Sequence, residues 1–263
     1  MTLVRAAVLA AAVSAASCGA PLMKLPMGPG EPAPDAGPLL AAATAACRKV
    51  STISAEVAVS GSVNGSRLRG RLLAGLAAPD SLYMEAPAPF GAPVFVMGST
   101  GGDSTLVLPR DRRVLQHGRP EDILSAVAGV PLTPEELRAT LTGCAGADVE
   151  PGETRAFGAD WRVVDGQTIR YLRRDGSQGA WRLVASVRTG ADGWRADYAA
   201  FSGDLPRAIR IVSAVPRRFD LRLELSQVDL NVTLEPSTFV VNVPAGSLPI
   251  SIDELRASGP FAR

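Results

Sequence analysis

A period of two that persists over most of the sequence is what most restricts how this chain can fold. Ile53, Ala55, Val57, Val59 and Val63 alternate with Thr52, Ser54, Glu56, Ser60 and Ser62. Leu68, Leu72, Ala74 and Leu76 then alternate with Arg67, Arg69 and Arg71. Successive side chains of a strand point to opposite faces, so this pattern describes strands with one buried face and one wet face. Asn64-Gly65 separates the two runs, and both residue types accept the positive φ of a two-residue hairpin turn. Further strands are expected over 81–86, 93–99, 103–108, 113–116, 161–164, 168–173, 181–188, 194–201, 207–213 and 219–225. In the last, Phe219, Leu221, Leu223 and Leu225 share a face, after which the apolar phase moves to Val228, Leu230, Val232 and Leu234. A one-residue slip of this kind marks a β-bulge, here near Ser226-Gln227.

Helical patterns interrupt the strands twice. Residues 38–49 are rich in Leu and Ala and end on Arg48 and Lys49, and residues 120–130 and 134–142 form a pair in the middle of the chain. Thr133 is placed to cap the second of that pair, with Glu136 as its capping-box partner. The fold class that follows is mainly β (α+β). About eleven or twelve antiparallel strands form a curled sheet, an incomplete barrel with a helical lid.

The N-terminus has a different composition. Arg5 precedes the apolar run from Ala6 to Val13 and the small residues Ser14-Ala15-Ala16-Ser17-Cys18, the shape of an export signal too short to span a bilayer. The residues just before Cys18 resemble the lipobox of bacterial lipoproteins, with Ala15 where Leu is usual, so Cys18 is the expected lipidation site. Pro21, Pro26, Pro29, Pro32 and Pro34 follow within a Gly- and Ala-rich stretch that reads as an extended spacer, reaching on the order of 50 Å. The chain therefore divides into a signal (1–17), a spacer from Cys18 (18–37) and one domain (38–263). The two remaining cysteines, Cys47 and Cys144, are permitted to bridge in an oxidising compartment; two buried free thiols are the alternative.

Several chemistries are disfavoured. A formal charge of +1 without a basic stripe argues against nucleic-acid binding. His117 is the single histidine, no Gly-x-Ser-x-Gly elbow occurs, and no metal-ligand spacing surrounds it. Gly98-Ser99-Thr100-Gly101-Gly102-Asp103 has the glycines of a phosphate loop but lacks its lysine and helix, and reads as a hairpin turn. Glu121-Asp122 and Glu135-Glu136 sit in first helical turns, where acids suit the helix dipole. Trp161, Trp181 and Trp194 read as core. No catalytic residue, metal or cofactor is expected. Phe90, between Pro89 and Gly91 in a loop, is a poor core candidate and reads as a membrane or partner contact.

The run from Tyr83 through Pro89-Phe90-Gly91 to Val96, the segment from Ala128 to Gly143, and the pair Leu205–Ile211 with Arg222–Leu225 together resemble the LolA/LolB-like outer-membrane lipoprotein family over about residues 40 to 235. The resemblance implies an incomplete barrel whose helical lid covers a cavity for acyl chains of lipids or lipoproteins. It also implies a lipid anchor in the outer membrane at its periplasmic face, and a periplasmic carrier protein as partner. It places Phe90, with Pro89 and Gly91, on a membrane-insertion loop, where the family carries Leu. Residues 238–263 have no counterpart in it. Two functions follow: a lipid- or lipoprotein-handling protein, or a structural or interaction lipoprotein of the same fold with no ligand. Cavity volume discriminates between them.

Overall fold

The computed structural model describes residues 22–145, 152–176 and 179–258. The export signal and Cys18 lie outside the described residues. All strands belong to one sheet. Twelve follow the alternating runs: β2 (Thr52–Val63), β3 (Ser66–Ala77), β4 (Ser81–Ala86), β5 (Phe95–Thr100), β6 (Asp103–Leu108), β7 (Arg113–Gly118), β9 (Trp161–Val164), β10 (Thr168–Arg174), β11 (Trp181–Arg188), β12 (Trp194–Ser202), β13 (Leu205–Ser213) and β14 (Phe219–Leu230). Three more were not apparent from the pattern: β1 (Glu31–Pro32), β8 (Thr154–Phe157) and β15 (Leu248–Pro249). Among the described residues the order is β1-β8-β9-β10-β11-β12-β13-β14-β2-β3-β4-β5-β6-β7-β15, an open fifteen-stranded sheet in which only the β15–β7 pairing is parallel. Two of the added strands are two residues long, too short to show a period.

The hairpin at Asn64-Gly65 forms with φ of 50° and 80°. The register of β14 on β2 shifts between Ser226 and Asp229, and Gln227 takes φ 48°, so the bulge lies where the apolar phase slips. The helices are α1 (Ala36–Ala43), α2 (Pro120–Ala128), α3 (Pro134–Leu141) and α4 (Ile252–Ser258). The capping box of Thr133 and Glu136 is present at α3, and Gly129, at φ 71°, ends α2. The helix expected over 38–49 begins earlier and is broken. Thr44 turns its hydroxyl back to the Leu40 carbonyl, and the chain resumes as a short 3-10 turn at Cys47–Lys49.

Both termini wrap the sheet. From Met23 the N-terminal segment is held to strand residues: the Met23 amide donates to Asp197, Arg155 donates to the Gly28 carbonyl, and Glu31–Pro32 pairs with β8. Ala33 and Ala36 are buried. The stretch expected as an extended spacer up to Gly37 lies against the sheet from Met23 onward, and its prolines are compatible with an edge strand. The C-terminal segment crosses the outer face of the sheet. Gly98 makes room for it: a Cβ there would meet the Phe239 carbonyl oxygen at 2.3 Å. The segment then pairs as β15 with the β7 edge and ends in α4 against α2, with Leu255 fully buried. An open sheet exposes two unpaired edges, and each terminus covers one.

Candidate functional site: an apolar cavity under a two-helix lid

The inward positions of the central strands form the floor of a cavity. Val57 and Val59 of β2, Leu68, Gly70, Leu72 and Ala74 of β3, and Leu221 and Leu223 of β14 line it, with Met84, Phe95, Met97 and Ile211 from neighbouring strands. The roof is α2, α3 and the link between them, through Leu124, Val127, Val130, Leu132, Leu137 and Leu141. No polar side chain faces the space, which encloses about 90 Å³. That is well below the roughly 300–1,000 Å³ of ligand pockets.

Gly70 lies at the mouth. It occupies an inward position of β3 between Leu68 and Leu72, yet it is exposed, and a Cβ built there would meet nothing within 4 Å. The ladder of β3 with β4 runs from Leu73 to Ala77, so the part of β3 that holds Gly70 pairs only with β2 among the described strands. The loop that carries Phe90 starts where that ladder stops. Phe90 is 89% exposed, the Val94 amide closes the loop on the Ala86 carbonyl at 2.8 Å, and Gly91 takes φ 75°. Arg110 braces the loop from the β6–β7 turn, donating to the carbonyls of Phe90 (3.2 Å) and Ala92 (3.1 Å). The exposed aromatic is therefore presented on a supported loop beside the mouth.

The lid is fastened at its ends. Cys144, just beyond α3, is joined by a disulfide to Cys47 in the turn after α1, with the Cα atoms 5.8 Å apart. Arg138 of α3 donates to the Val50 carbonyl, and Arg188 pairs with Glu136. On the other side α4 packs on α2, and Arg256 approaches Asp122 at 3.7 Å. Between these fastenings the faces of lid and floor that line the cavity are apolar. Asp122 and Glu136 thus serve helix ends and lid fastening.

The other residues singled out in the sequence lie elsewhere. His117 sits exposed near the end of β7, at φ 58° and 3.2 Å from Asp103, at the rim opposite the Phe90 loop. Gly101-Gly102 is the turn of the β5–β6 hairpin. Trp194 is core, and Trp181 packs partly buried against the core with the guanidinium groups of Arg162 and Arg174 each 4.9 Å from its ring. Among the described residues no group of three or more His, Cys, Asp or Glu is arranged to hold a metal, and no helix is long and apolar enough to cross a membrane. The cavity was expected from the family resemblance, whereas its opening at Gly70 was not foreseen.

No protein-family model matches the sequence, and no characterised protein matches it at the level of sequence. Solved structures do match its fold. A LolA-superfamily protein from Nitrosomonas europaea superposes with a TM-score of 0.52 at 13% identity, over 78% of this chain and 97% of that one. The chain has the LolA-superfamily fold. A DUF1329-family protein from Desulfovibrio piger (TM-score 0.48, 14% identity, 80% of this chain and 98% of that one) is also similar. So is a putative outer-membrane lipoprotein-sorting protein domain from Vibrio parahaemolyticus (0.45, 13%, 76% and 94%).

Proposed function

We propose that this protein is a lipid-anchored envelope protein of the outer membrane. It takes an acyl chain of a lipid or lipoprotein into the cavity beneath α2 and α3, and Phe90 enters the membrane beside the mouth. The observation that carries the reading is a lining without one polar side chain, open at Gly70. An acyl chain offers no hydrogen bonds and asks for none, and each buried methylene contributes about 0.8 kcal/mol. Ten of them contribute on the order of 8 kcal/mol, enough to offset lifting a lid whose cavity-lining face is apolar. The space of about 90 Å³ is then the closed state, and occupancy requires the lid to rise. In this reading Cys18 carries the anchor, a periplasmic carrier delivers the acyl cargo, and the chemistry is transfer without bond-making.

The small volume is also the observation that favours the second reading, an interaction lipoprotein of the same fold with no ligand. Mass spectrometry of lipids co-purifying with residues 22–263 separates them. The first reading expects diacyl or acylated species in stoichiometric amount, and a lipid-free protein that also fails to take up added fatty acid would sink it. For the anchor, Cys18→Ser should release the protein from the membrane fraction. Retention of that variant on membranes would end the lipidation claim.

A further inference from the structure

The formal charge of +1 conceals an excess of arginine at one rim that only the topology reveals. Turns between antiparallel strands alternate between the two rims of the half-barrel. One rim gathers the β2–β3 tip, the Phe90 loop, the β6–β7 turn, the β11–β12 turn and the β13–β14 turn. This rim carries Arg67, Arg69, Arg110, Arg112, Arg217 and Arg218, against Asp111 and Asp192. Arg218 is paired with Asp192 at 2.6 Å, while Arg110 spends its hydrogen bonds on neutral carbonyls of the Phe90 loop. Farther along the same rim, at the β8 edge, Arg155 is matched by Asp165. The opposite rim is mixed in sign: Asp80, Asp103, Asp160, Asp175 and Asp204 stand there beside Arg119, Arg162, Arg173, Arg174 and Arg182, with Arg182 3.9 Å from Asp175.

The arginine rim is also where apolar side chains stand exposed at loop tips. Phe90 is 89% exposed, and Val215, in the β13–β14 turn, is 42% exposed. A surface with arginines around protruding apolar tips matches a bilayer of anionic lipids, whose phosphates meet guanidinium groups while the tips enter the acyl boundary. The N-terminal segment leads to the same place. Met23 is held by Arg195 and Asp197, near the start of β12 at this rim. Met23 lies five residues after Cys18, a span of at most about 18 Å.

We propose that the arginine rim is a docking surface for anionic phospholipid membranes, oriented so that Phe90, Val215 and the cavity mouth at Gly70 face the bilayer. The opposite, mixed-charge rim points away from it. The inference deepens the acyl-carrier reading and rests on it for the purpose of docking, but the electrostatic claim is separable.

The test is co-sedimentation of residues 22–263 with vesicles of phosphatidylcholine alone or mixed with phosphatidylglycerol. Wild type should bind the mixed vesicles at least about tenfold more tightly, with the advantage lost at high salt. Each arginine near an anionic surface is worth about fivefold. The triple variant Arg67→Ser, Arg69→Ser, Arg217→Ser should therefore lose about a hundredfold on mixed vesicles, while Asp160→Ser with Asp204→Ser should change nothing. Equal binding of wild type to both vesicle types overturns the proposal, as does a triple variant that binds like wild type. Uptake of a fluorescent fatty acid, measured on the same proteins without vesicles, reads the cavity alone. If uptake is absent while vesicle binding shows the charge dependence, the acyl-carrier reading fails and the docking surface stands.

Discussion

Under α1 the inward face of β9–β12 is filled, whereas under α2 and α3 the inward face of β2–β5, β13 and β14 leaves a void. The filled half buries Thr168, Arg170, Ser186, Trp194 and Tyr198 among Leu172, Leu183 and Ala196. Two of its polar groups are tied to the backbone: Arg170 donates to the Asp165 carbonyl at 3.1 Å and Ser186 to the Ala145 carbonyl at 2.9 Å. Burial, reinforced by the neighbouring charge of Arg48, lowers the pKa of Arg170, and burial pushes the Tyr198 phenol well above its ordinary value. The other half has no buried polar side chain at its cavity and has Gly70 and Ala74 at inward positions. Bonded polar groups fix one packing arrangement, whereas an apolar lining tolerates rearrangement around a guest. The comparison teaches that one sheet can be scaffold on one side and container on the other.

The largest expected effect comes from cutting the tie between the halves. Cys47→Ser with Cys144→Ser removes a crosslink over 97 residues, and urea denaturation should show a loss of about 4–5 kcal/mol. The loss should be matched by faster uptake of a fluorescent fatty acid, since α3 is then freed at one end. Unchanged uptake would show that the lid does not move as described.

Next come paired substitutions. Arg170→Met in the filled half should cost about 3 kcal/mol by leaving buried acceptors unpaired, with uptake unaffected. Met84→Ala in the cavity floor should cost about 2 kcal/mol while acyl binding is retained or tightened. The comparison breaks if the two variants exchange their effects on uptake.

The smallest effect concerns Tyr198. Its phenol is raised from 10.0 when folded, so its contribution to stability is complete below pH 10 and is lost as pH rises from there through the folded value. Wild type should lose melting temperature above pH 10 more steeply than Tyr198→Phe. Parallel curves for the two would show that this burial does not govern alkaline unfolding.

Local rules made much of the fold legible. Asn64-Gly65, the phase slip at Ser226-Gln227 and the Thr133–Glu136 box are each set by neighbours in sequence, and each is found where its pattern lies. The wrapping termini were not legible. Glu31–Pro32 and Leu248–Pro249 are held by edges distant in sequence, and Phe239 reaches the sheet only because Gly98 lacks a side chain. Phe90 could be read as exposed from its flanking Pro89 and Gly91, and the structure presents it so. The cavity under the lid was implied by the family resemblance and not by the residue pattern, because a void is a shortage of volume summed over many strands. The arginine rim could not be read, since Arg67, Arg110 and Arg217 become neighbours only through the order of the strands.

The central claim, that the space under α2 and α3 receives an acyl chain through its mouth at Gly70, is tested most directly by filling that mouth. Gly70 has an ordinary backbone conformation and open space around its missing Cβ, so Gly70→Phe adds a side chain without displacing one. Binding of a fluorescent fatty acid to residues 22–263 should fall by at least about tenfold in the variant, a change of about 1.4 kcal/mol, with the melting temperature unchanged or higher. Binding equal to wild type in a stably folded Gly70→Phe protein would contradict the account.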